Sequence, residues 1–536
     1  MSIGQHADEL LKKKKYQFAI NAYSEGIRLG SNKPNYWYNR GIAYEAIKEY
    51  DKAIEDYTKA IEIQPKPAYY NNRAVAKERN KQYESAIEDY TQAILLAPDA
   101  ARFYANRADT YEALHLYHLA ISDYESAIKL KPDSSTYFYR LGEVYKLLNQ
   151  YQEAITNYTI AIELEPKPLY YKHRAIAKSR LELYEEVIED YTIALSCQSC
   201  PDFYNNRAVA YISLKQYDKA IADYMEAIKL QPNMAAYYYN KGIAHEGAKD
   251  FRKAIEDYTK AIEISPDSPS YFNNRGVAHE ALKEYDKAIE DYTQSIRLHP
   301  KPRYYTNRAE VYEAIGKYEK AISDYQAAYK LDQNIDHLVC IAELFGQLGQ
   351  YQKGIDEYSK AISLKPSSSK YNNRGWFYLL VNKYDRSISD AEQSIKLNPK
   401  NANAYDTLGF ANTLKGEHAK AIEFYKLALD HSKNAQNDLQ AVYYLHWSNS
   451  AYELKKYHEA IYCANKAFQL CPELSLALCW RGFSYIAINN LQNAIDDLQT
   501  VINIKSVDKG VNNIFRTGYQ LDSLVSKFNQ QLSLVK

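Results

Sequence analysis

The chain is predicted to be an all-α solenoid, and three observations carry the prediction. The phrase Y-x-x-A-I-x-D-Y-T-x-A-I-x-L-x-P runs from Tyr50 through Ala53, Tyr57 and Ala60 to Pro65. It returns at Tyr83, Tyr117, Tyr151, Tyr184, Tyr217, Phe251, Tyr285, Tyr318, Tyr351, Tyr384 and Tyr457, with His418 in the same place between the last two. The step is 33 or 34 residues, apart from one longer step, and a strict period of this size is the mark of stacked repeats. Small and aromatic residues hold fixed places within the repeat, as closely packed helices require. A proline closes most repeats, where it ends a helix. Repeats that nearly fill the chain leave no room for a separate catalytic domain.

Composition narrows the function classes. The 536 residues carry 67 Lys and Arg against 67 Asp and Glu, a net charge of zero, so no global field points to nucleic acid or an anionic membrane. No apolar run is long enough for a transmembrane helix. The opening Met-Ser-Ile-Gly-Gln-His-Ala-Asp is not a signal peptide, because no apolar run follows the lysines. Six cysteines at unmatched spacings make no disulfide framework and favour a reducing compartment. A cytoplasmic protein is expected, with leaderless export the open alternative. The 55 tyrosines sit mostly at fixed repeat positions and read as packing residues.

Counting from Pro34 as position 1 puts Trp37 at 4, Gly41 at 8, Tyr44 at 11, Ala53 at 20, Tyr57 at 24, Ala60 at 27 and Pro65 at 32. Later repeats start near Pro67, Ala101, Ser135, Pro168, Pro201, Ala235, Pro269, Pro302, Ile335, Ser368, Ala402, Ala441 and Ser475. A degenerate repeat precedes them, with Ala19, Tyr23 and Gly26 in the roles of positions 20, 24 and 27, for about fifteen in all. This pattern resembles the tetratricopeptide repeat family over roughly residues 1 to 505. The resemblance implies two antiparallel helices per repeat, A and B, stacked into a right-handed superhelix whose concave face is lined mainly by A helices. Prolines at position 1, as in Pro67, Pro168 and Pro302, suit the first turn of helix A.

The expected organisation follows in order: a degenerate N-terminal repeat over 1–33, the main array over 34–430, an insertion over 431–440, two last repeats over 441–506 and a capping helix over 507–536. The pattern fades at Asp336–Phe345, where helix A has no Asn-Arg pair. After Ser506, Ile514, Phe515, Leu521, Leu524, Val525 and Phe528 recur at near-helical spacing. They are expected to cover the last exposed apolar face, with a partner-binding helix as the alternative.

The repeats act as their own alignment. Position 7 is Arg40, Arg73, Arg107, Arg174, Arg207, Arg275, Arg308, Arg374 and Arg481, and position 23 in the same repeats is Asp56, Asp89, Asp123, Asp190, Asp223, Asp291, Asp324, Asp390 and Asp497. Where position 7 is apolar the acid usually goes too, as in Leu141 with Asn157, Leu408 with Phe424 and Trp447 with Cys463; Ile341 with Glu357 is the exception, and Lys241 with Asp257 keeps both charges. A partly shielded ion pair between helices A and B is expected in each charged repeat, with a structural role.

Position 6 is Asn39, Asn72, Asn106, Asn206, Asn240, Asn274, Asn307 and Asn373, although asparagine is a poor helix former. Elsewhere it is Arg140, His173, Cys340, Thr407, His446 or Trp480. In tetratricopeptide superhelices this position faces the groove. The ladder looks like that of the long repeat domain of O-linked N-acetylglucosamine transferase, which implies recognition of an extended peptide backbone, here without a catalytic domain. The alternative is that these amides brace neighbouring repeats. Position 12 adds Glu45, Glu78, Glu112, Glu246, Glu280 and Glu313. If they share that face, partners with basic residues are favoured and nucleic acid or phosphopeptides disfavoured. Lys146, Ser179 and Ile212 interrupt the acids, and beyond Ile335 the residues Trp376, Phe377, Phe410, Trp447 and Trp480 point to a more apolar second half with a separate partner site.

A chaperone-type clamp for C-terminal carboxylates is not expected. Arg140 is the one arginine at position 6, but Thr136, Asn71 and Val75 stand where its partner residues belong; Lys172 with Asn206 is followed by Ala236 and Asn240. No phosphate loop, H-E-x-x-H or nucleophile elbow occurs, and Cys197-Gln-Ser-Cys200 is a lone pair. No catalytic residue, metal or cofactor is expected. The reading is a non-enzymatic scaffold that holds extended protein segments in its groove. The alternatives are a substrate-selecting or regulatory subunit of an enzyme complex and a self-associating scaffold.

Overall fold

The structure is a computed structural model that describes residues 3–433, 437–505 and 521–535. The insertion's residues 434–436, residue 506 of the expected last repeats and residues 507–520 of the expected cap, with Ile514 and Phe515, lie outside the described residues. Every described element is a helix. The chain divides into two compact units, 1–265 and 266–536, each a stack of helical hairpins.

Unit 1 holds α1 Ile3–Lys12, α2 Tyr16–Arg28, α3 Pro34–Ala46, α4 Tyr50–Ile63, α5 Pro67–Arg79, α6 Tyr83–Leu96, α7 Ala101–Ala113, α8 Tyr117–Leu130, α9 Ser135–Leu147, α10 Tyr151–Leu164, α11 Pro168–Arg180, α12 Tyr184–Cys197, α13 Pro201–Ser213, α14 Tyr217–Leu230, α15 Ala235–Gly247 and α16 Phe251–Ile264. Unit 2 holds α17 Pro269–Ala281, α18 Tyr285–Leu298, α19 Pro302–Ala314, α20 Tyr318–Asp332, α21 Ile335–Gln347, α22 Tyr351–Leu364, α23 Ser368–Leu380, α24 Tyr384–Leu397, α25 Ala402–Leu414, α26 His418–His431, α27 Asn437–Glu453, α28 Tyr457–Leu470, α29 Leu476–Ala487, α30 Leu491–Lys505 and α31 Leu521–Val535. Odd-numbered helices up to α29 are the A helices and even-numbered ones the B helices. Within each unit, consecutive helices pack on one another, and several A helices also touch the next A helix. Most A helices start where the repeat frame puts them. α27 is the clear exception: it already runs through Asn437-Asp438-Leu439-Gln440, four residues ahead of the frame, a stretch that contains no breaker.

The recurring residues explain the hairpin. Tyr57, Tyr90, Tyr124 and Tyr158 at position 24 are fully buried, each against the small residue at position 8 of its own hairpin. A methyl group on Gly142 would lie 2.7 Å from the Tyr158 ring. Position 15 closes helix A in the left-handed conformation, as at Lys48 (φ 67°), Lys81 (φ 61°), Asn149 (φ 59°) and Gly316 (φ 71°). The next amide then folds back, Glu49 N to Tyr44 O at 2.9 Å, a common way to satisfy the last carbonyls. Lys14 occupies the same left-handed place, so the basic run Lys12–Lys15 is a solvated turn.

The ion pair read from internal covariation is present and reaches further than expected. Arg107 donates from Nε and Nη2 to Asp123 at 2.7 and 2.8 Å, and from Nη1 to Thr91 of the preceding hairpin at 2.9 Å. Arg73 reaches Thr58, Arg174 reaches Thr159, Arg308 reaches Thr293 and Arg374 reaches Ser359 in the same way. The guanidinium also lies near the aromatics at positions 4 and 11, 6.0 Å from Tyr104 and 5.8 Å from Tyr111 for Arg107, a cation–π geometry. One arginine thus joins both helices of its hairpin to the hairpin before. The exception also resolves: beside Ile341, Glu357 pairs with Lys360 at 2.7 Å instead.

At the end of unit 2, α31 packs against α29 and α30. Phe528 is fully buried and lies against Phe483 at 5.3 Å between centroids. The C-terminal helix therefore caps the array over Leu521–Val535, its N-terminal expected portion being outside the described residues.

Candidate functional site

Positions 2, 5, 6, 9 and 12 of helix A fall on one face, because residues three and four apart are neighbours on a helix. In unit 2 that face is visible directly: Asn403 at position 2, Asp406 at 5, Asn373 at 6, Glu343 at 9 and Glu313 at 12 line one cavity.

All eight position-6 asparagines are half-buried. In unit 1, Asn71 donates to Asn72 Oδ1 at 3.1 Å and accepts from Asn106 of the next repeat at 2.9 Å. Asn205, Asn206 and Asn240 repeat this relay at 3.0 Å per link. Asn72 also donates to Tyr38 at 3.0 Å, Asn206 to Tyr191 at 3.1 Å and Asn39 to Asp8 at 3.0 Å. In unit 2, Asn273 donates to Asn274 and accepts from Asn307, while Asn372 donates to Asn373, which donates to Tyr358. The amides therefore brace neighbouring repeats. A primary amide carries two N–H donors and two lone pairs, so bracing and a further contact are chemically compatible on one side chain.

The position-12 acids accept from the position-24 tyrosine hydroxyl: Tyr57 to Glu45 at 2.9 Å, Tyr90 to Glu78 at 3.0 Å, Tyr258 to Glu246 at 2.6 Å and Tyr292 to Glu280 at 2.7 Å, with Tyr325 to Glu313 longer at 3.5 Å. Glu112 has no such bond, because Tyr124 turns to Asp109. Among the described residues, no Lys or Arg forms a salt bridge to any of these six glutamates. Burial raises the carboxyls of Glu45, Glu78 and Glu112 above the ordinary range, and in Glu112 the neighbouring Asp109 adds to it.

Sequence reasoning missed position 9, which adds Asp109, Glu143, Glu310 and Glu343 to the same face. Its spacing from positions 6 and 12 was the available signal. Burial, then Glu280 and Glu313, raise the Glu310 carboxyl. In the middle of unit 1 the amide ladder gives way to a charged knot: Glu143 takes bonds from Lys146 at 2.7 Å, from His173 at 2.6 Å and from Tyr158. Burial alone would raise Glu143, but hydrogen bonds from His173, Lys146 and Tyr158 outweigh it and bring the carboxyl down to about 2. A carboxylate depressed in the fold adds stability above its unfolded range near 4.3, and that contribution is lost as pH falls toward 2. A Glu143→Gln protein is therefore expected to show a shallower loss of stability between about pH 4 and pH 2 than the parent in urea titrations; parallel curves would contradict it.

Other sequence expectations land differently. His245 and His279, which stand at position 11 where many repeats have tyrosine, are buried hydrogen-bonding residues, 2.7 Å from Asp257 and 2.8 Å from Glu284. Of the second-half aromatics, Phe377, Phe410 and Trp480 are buried core, and Trp447 donates its indole N–H to Glu459 at 2.9 Å. Only Trp376 and Phe377 of that set line the cavity. Cys197 and Cys200 form no disulfide. Burial pushes the thiols of Cys479 up to about 12 and Cys340 up to about 11, the latter helped by Glu343 and Glu313, so both stay protonated at neutral pH. No described helix is long and apolar enough to cross a membrane.

Sequence profiles described as "Tetratricopeptide repeat" match residues 34–67, 67–100, 101–134, 135–168, 201–234, 235–268, 269–302, 302–335, 341–368 and 373–438, well over half of the chain. The chain is 38% identical over 58 residues to small glutamine-rich tetratricopeptide repeat-containing protein 2 of Saccharomyces cerevisiae, 11% of this chain and 17% of that protein. It is 37% identical over 59 residues to E3 ubiquitin-protein ligase CHIP of Arabidopsis thaliana, 11% of this chain and 21% of that protein. The chain thus spans about a fifth of the length of these relatives or less. Similar solved structures include the APC/C hetero-tetramer Cut9–Hcn1 (17% identity, 93% of this chain and 98% of that chain, TM-score 0.37) and yeast Tom70 (16% identity, 93% and 96%, TM-score 0.35). With its hairpin frame, its position 8, 20 and 24 packing and these profile matches, the chain belongs to the tetratricopeptide repeat family.

Proposed function

We propose that the chain is a non-enzymatic interaction scaffold that holds extended, basic segments of partner proteins along its A-helix face. The observation that carries this reading is a row of half-buried amides on the same helix face as carboxylates that no lysine or arginine salt-bridges among the described residues. A peptide backbone supplies carbonyls to the amides, and its basic side chains supply the direct ion pairs that Arg79, near Glu45 and Glu78, and Arg140 and Lys146, near Glu112, do not make. Each amide–backbone bond nets only about 0.5–1.5 kcal/mol, so several rungs act together. Asn39, Asn72, Asn106, Asn206, Asn240, Asn274, Asn307 and Asn373 would hold backbone, and Glu45, Glu78, Glu112, Glu246, Glu280 and Glu313 would select basic residues.

The test is a double variant, Glu45→Gln with Glu78→Gln. Glutamine keeps an acceptor for Tyr57 and Tyr90, so the fold is preserved while two charges vanish. Binding to a degenerate library of lysine-containing decapeptides is expected to weaken about threefold to tenfold, with a flatter salt dependence. The parent's affinity should also rise with pH through the raised carboxyl range, because the cation favours the ionised acids. Equal binding of acidic and basic peptides by the parent would overturn the reading.

A further inference from the structure

We infer that the cavity in unit 2 seats an arginine side chain from a partner's extended segment, a deepening that rests on the scaffold reading above. The cavity has a volume of about 320 Å³, at the lower end of sizes that hold a specific ligand group. Its walls divide by chemistry. Trp376, Phe377, Leu344 and Val442 supply apolar and aromatic surface, while Glu313, Glu343 and Asp406 supply carboxylates.

The charge is one-sided. Glu343 accepts from Tyr358 at 3.4 Å and Glu313 from Tyr325 at 3.5 Å, both long contacts with neutral hydroxyls. Asp406 accepts from buried His446 at 2.8 Å. Among the described residues, no lysine or arginine forms a salt bridge to Glu313, Glu343 or Asp406. Burial raises the Glu343 carboxyl, and nearby Glu313 adds to the effect. A cation is therefore the complementary occupant. Arginine fits better than lysine: its planar guanidinium can stack on an indole and bond a carboxylate with two N–H groups, while its three-carbon stem lies on apolar wall. Trp376 is itself held in a stack, 5.7 Å from Phe410 at 25°, so the ring is positioned in advance. Asn372 and Asn373 sit in the same cavity lining, where their relay to Tyr358 is the local piece of the amide ladder. A side chain delivered by a backbone lying on that ladder satisfies both features, whereas a free cation would use the pocket alone.

The experiment compares immobilised nonapeptide libraries with a fixed central arginine, citrulline or glutamate and random flanks. They are probed with the full chain and with the Glu313→Gln/Glu343→Gln and Trp376→Leu proteins, each checked by thermal melt. The full chain should retain the arginine library at least about tenfold better than the citrulline library, and the Glu313→Gln/Glu343→Gln protein should lose most of that preference. Equal retention of arginine and citrulline by the full chain overturns the inference. So does an arginine preference that survives both variants. If that surviving preference disappears in Glu45→Gln/Glu78→Gln instead, basic residues are read in unit 1, and the scaffold proposal stands without this pocket. Full displacement by N-acetylarginine amide at the peptide's own concentration would mark a free-cation site and overturn the partner-segment occupant.

Discussion

Asp123→Ala is expected to remove about 3 kcal/mol from the stability of unit 1, near the lower end for breaking a shielded ion pair. Arg107 is 16% exposed and Asp123 8%, so the arginine left behind is neither solvated nor neutralised. It would keep Thr91 and the rings of Tyr104 and Tyr111, none of which carries negative charge. The chain itself supplies the control. At Leu141 the same place in the hairpin is filled by a buried apolar side chain, and the facing residue is Asn157. Arg107→Leu combined with Asp123→Asn copies that solution and should cost roughly 1 kcal/mol or less, because replacing both partners leaves no stranded charge. Urea denaturation of the single and double variants closes a mutant cycle. If the double variant costs as much as Asp123→Ala, the pair does not act as a unit. Because Arg107 also bonds the preceding hairpin, its loss should lower hydrogen-exchange protection in α6 as well as in α7 and α8.

Much of this was legible because the chain repeats. The frame, the hairpin and the position 7 and 23 pair could be read by comparing columns, and the C-terminal helix by its near-helical apolar spacing past the last repeat. What escaped has physical causes. The left-handed turn at position 15 is occupied mostly by lysine, histidine, glutamate or asparagine rather than glycine, so composition hid the geometry. Thr58, Thr91 and Thr159 carry no charge to vary with a partner column, and only the arginine Nη1 contacts place them at the junction with the next hairpin. Position 9 varies between Ile42, Asp109, Glu143 and Trp376, and a column that varies does not announce itself as a shared face. The asparagines were legible as a ladder but not in how they divide their bonds. The relay bonds run between residues at positions 5 and 6 of neighbouring repeats, a pairing that the columns do not announce.

Phe528→Ala carries the other large effect. Position 24 is a buried tyrosine in nearly every hairpin, packed over the small residue at position 8, but in the last hairpin it is Leu498. Leu498 leaves Gly482 uncovered, and Phe528 from α31 fills the place: a methyl group on Gly482 would overlap the Phe528 ring. The cap thus restores from outside the repeat the aromatic contact that most internal hairpins make for themselves, Ala391 and Ala464 being the internal exceptions at position 24. Deleting a fully buried phenylalanine ring costs about 3–5 kcal/mol. Here the loss falls on a hairpin with only one repeat neighbour, and solenoid stability is a sum over such neighbours. Hydrogen exchange should therefore show α29, α30 and α31 losing protection together while α3 to α8 keep theirs. Gly482→Ala separates the ring's fit from its mere apolar area, since it removes no hydrophobic surface yet denies Phe528 its seat, and it should reproduce most of the loss. If both variants leave the protection of α29 and α30 unchanged, then α31 does not cap the array, and its apolar face is available to a partner.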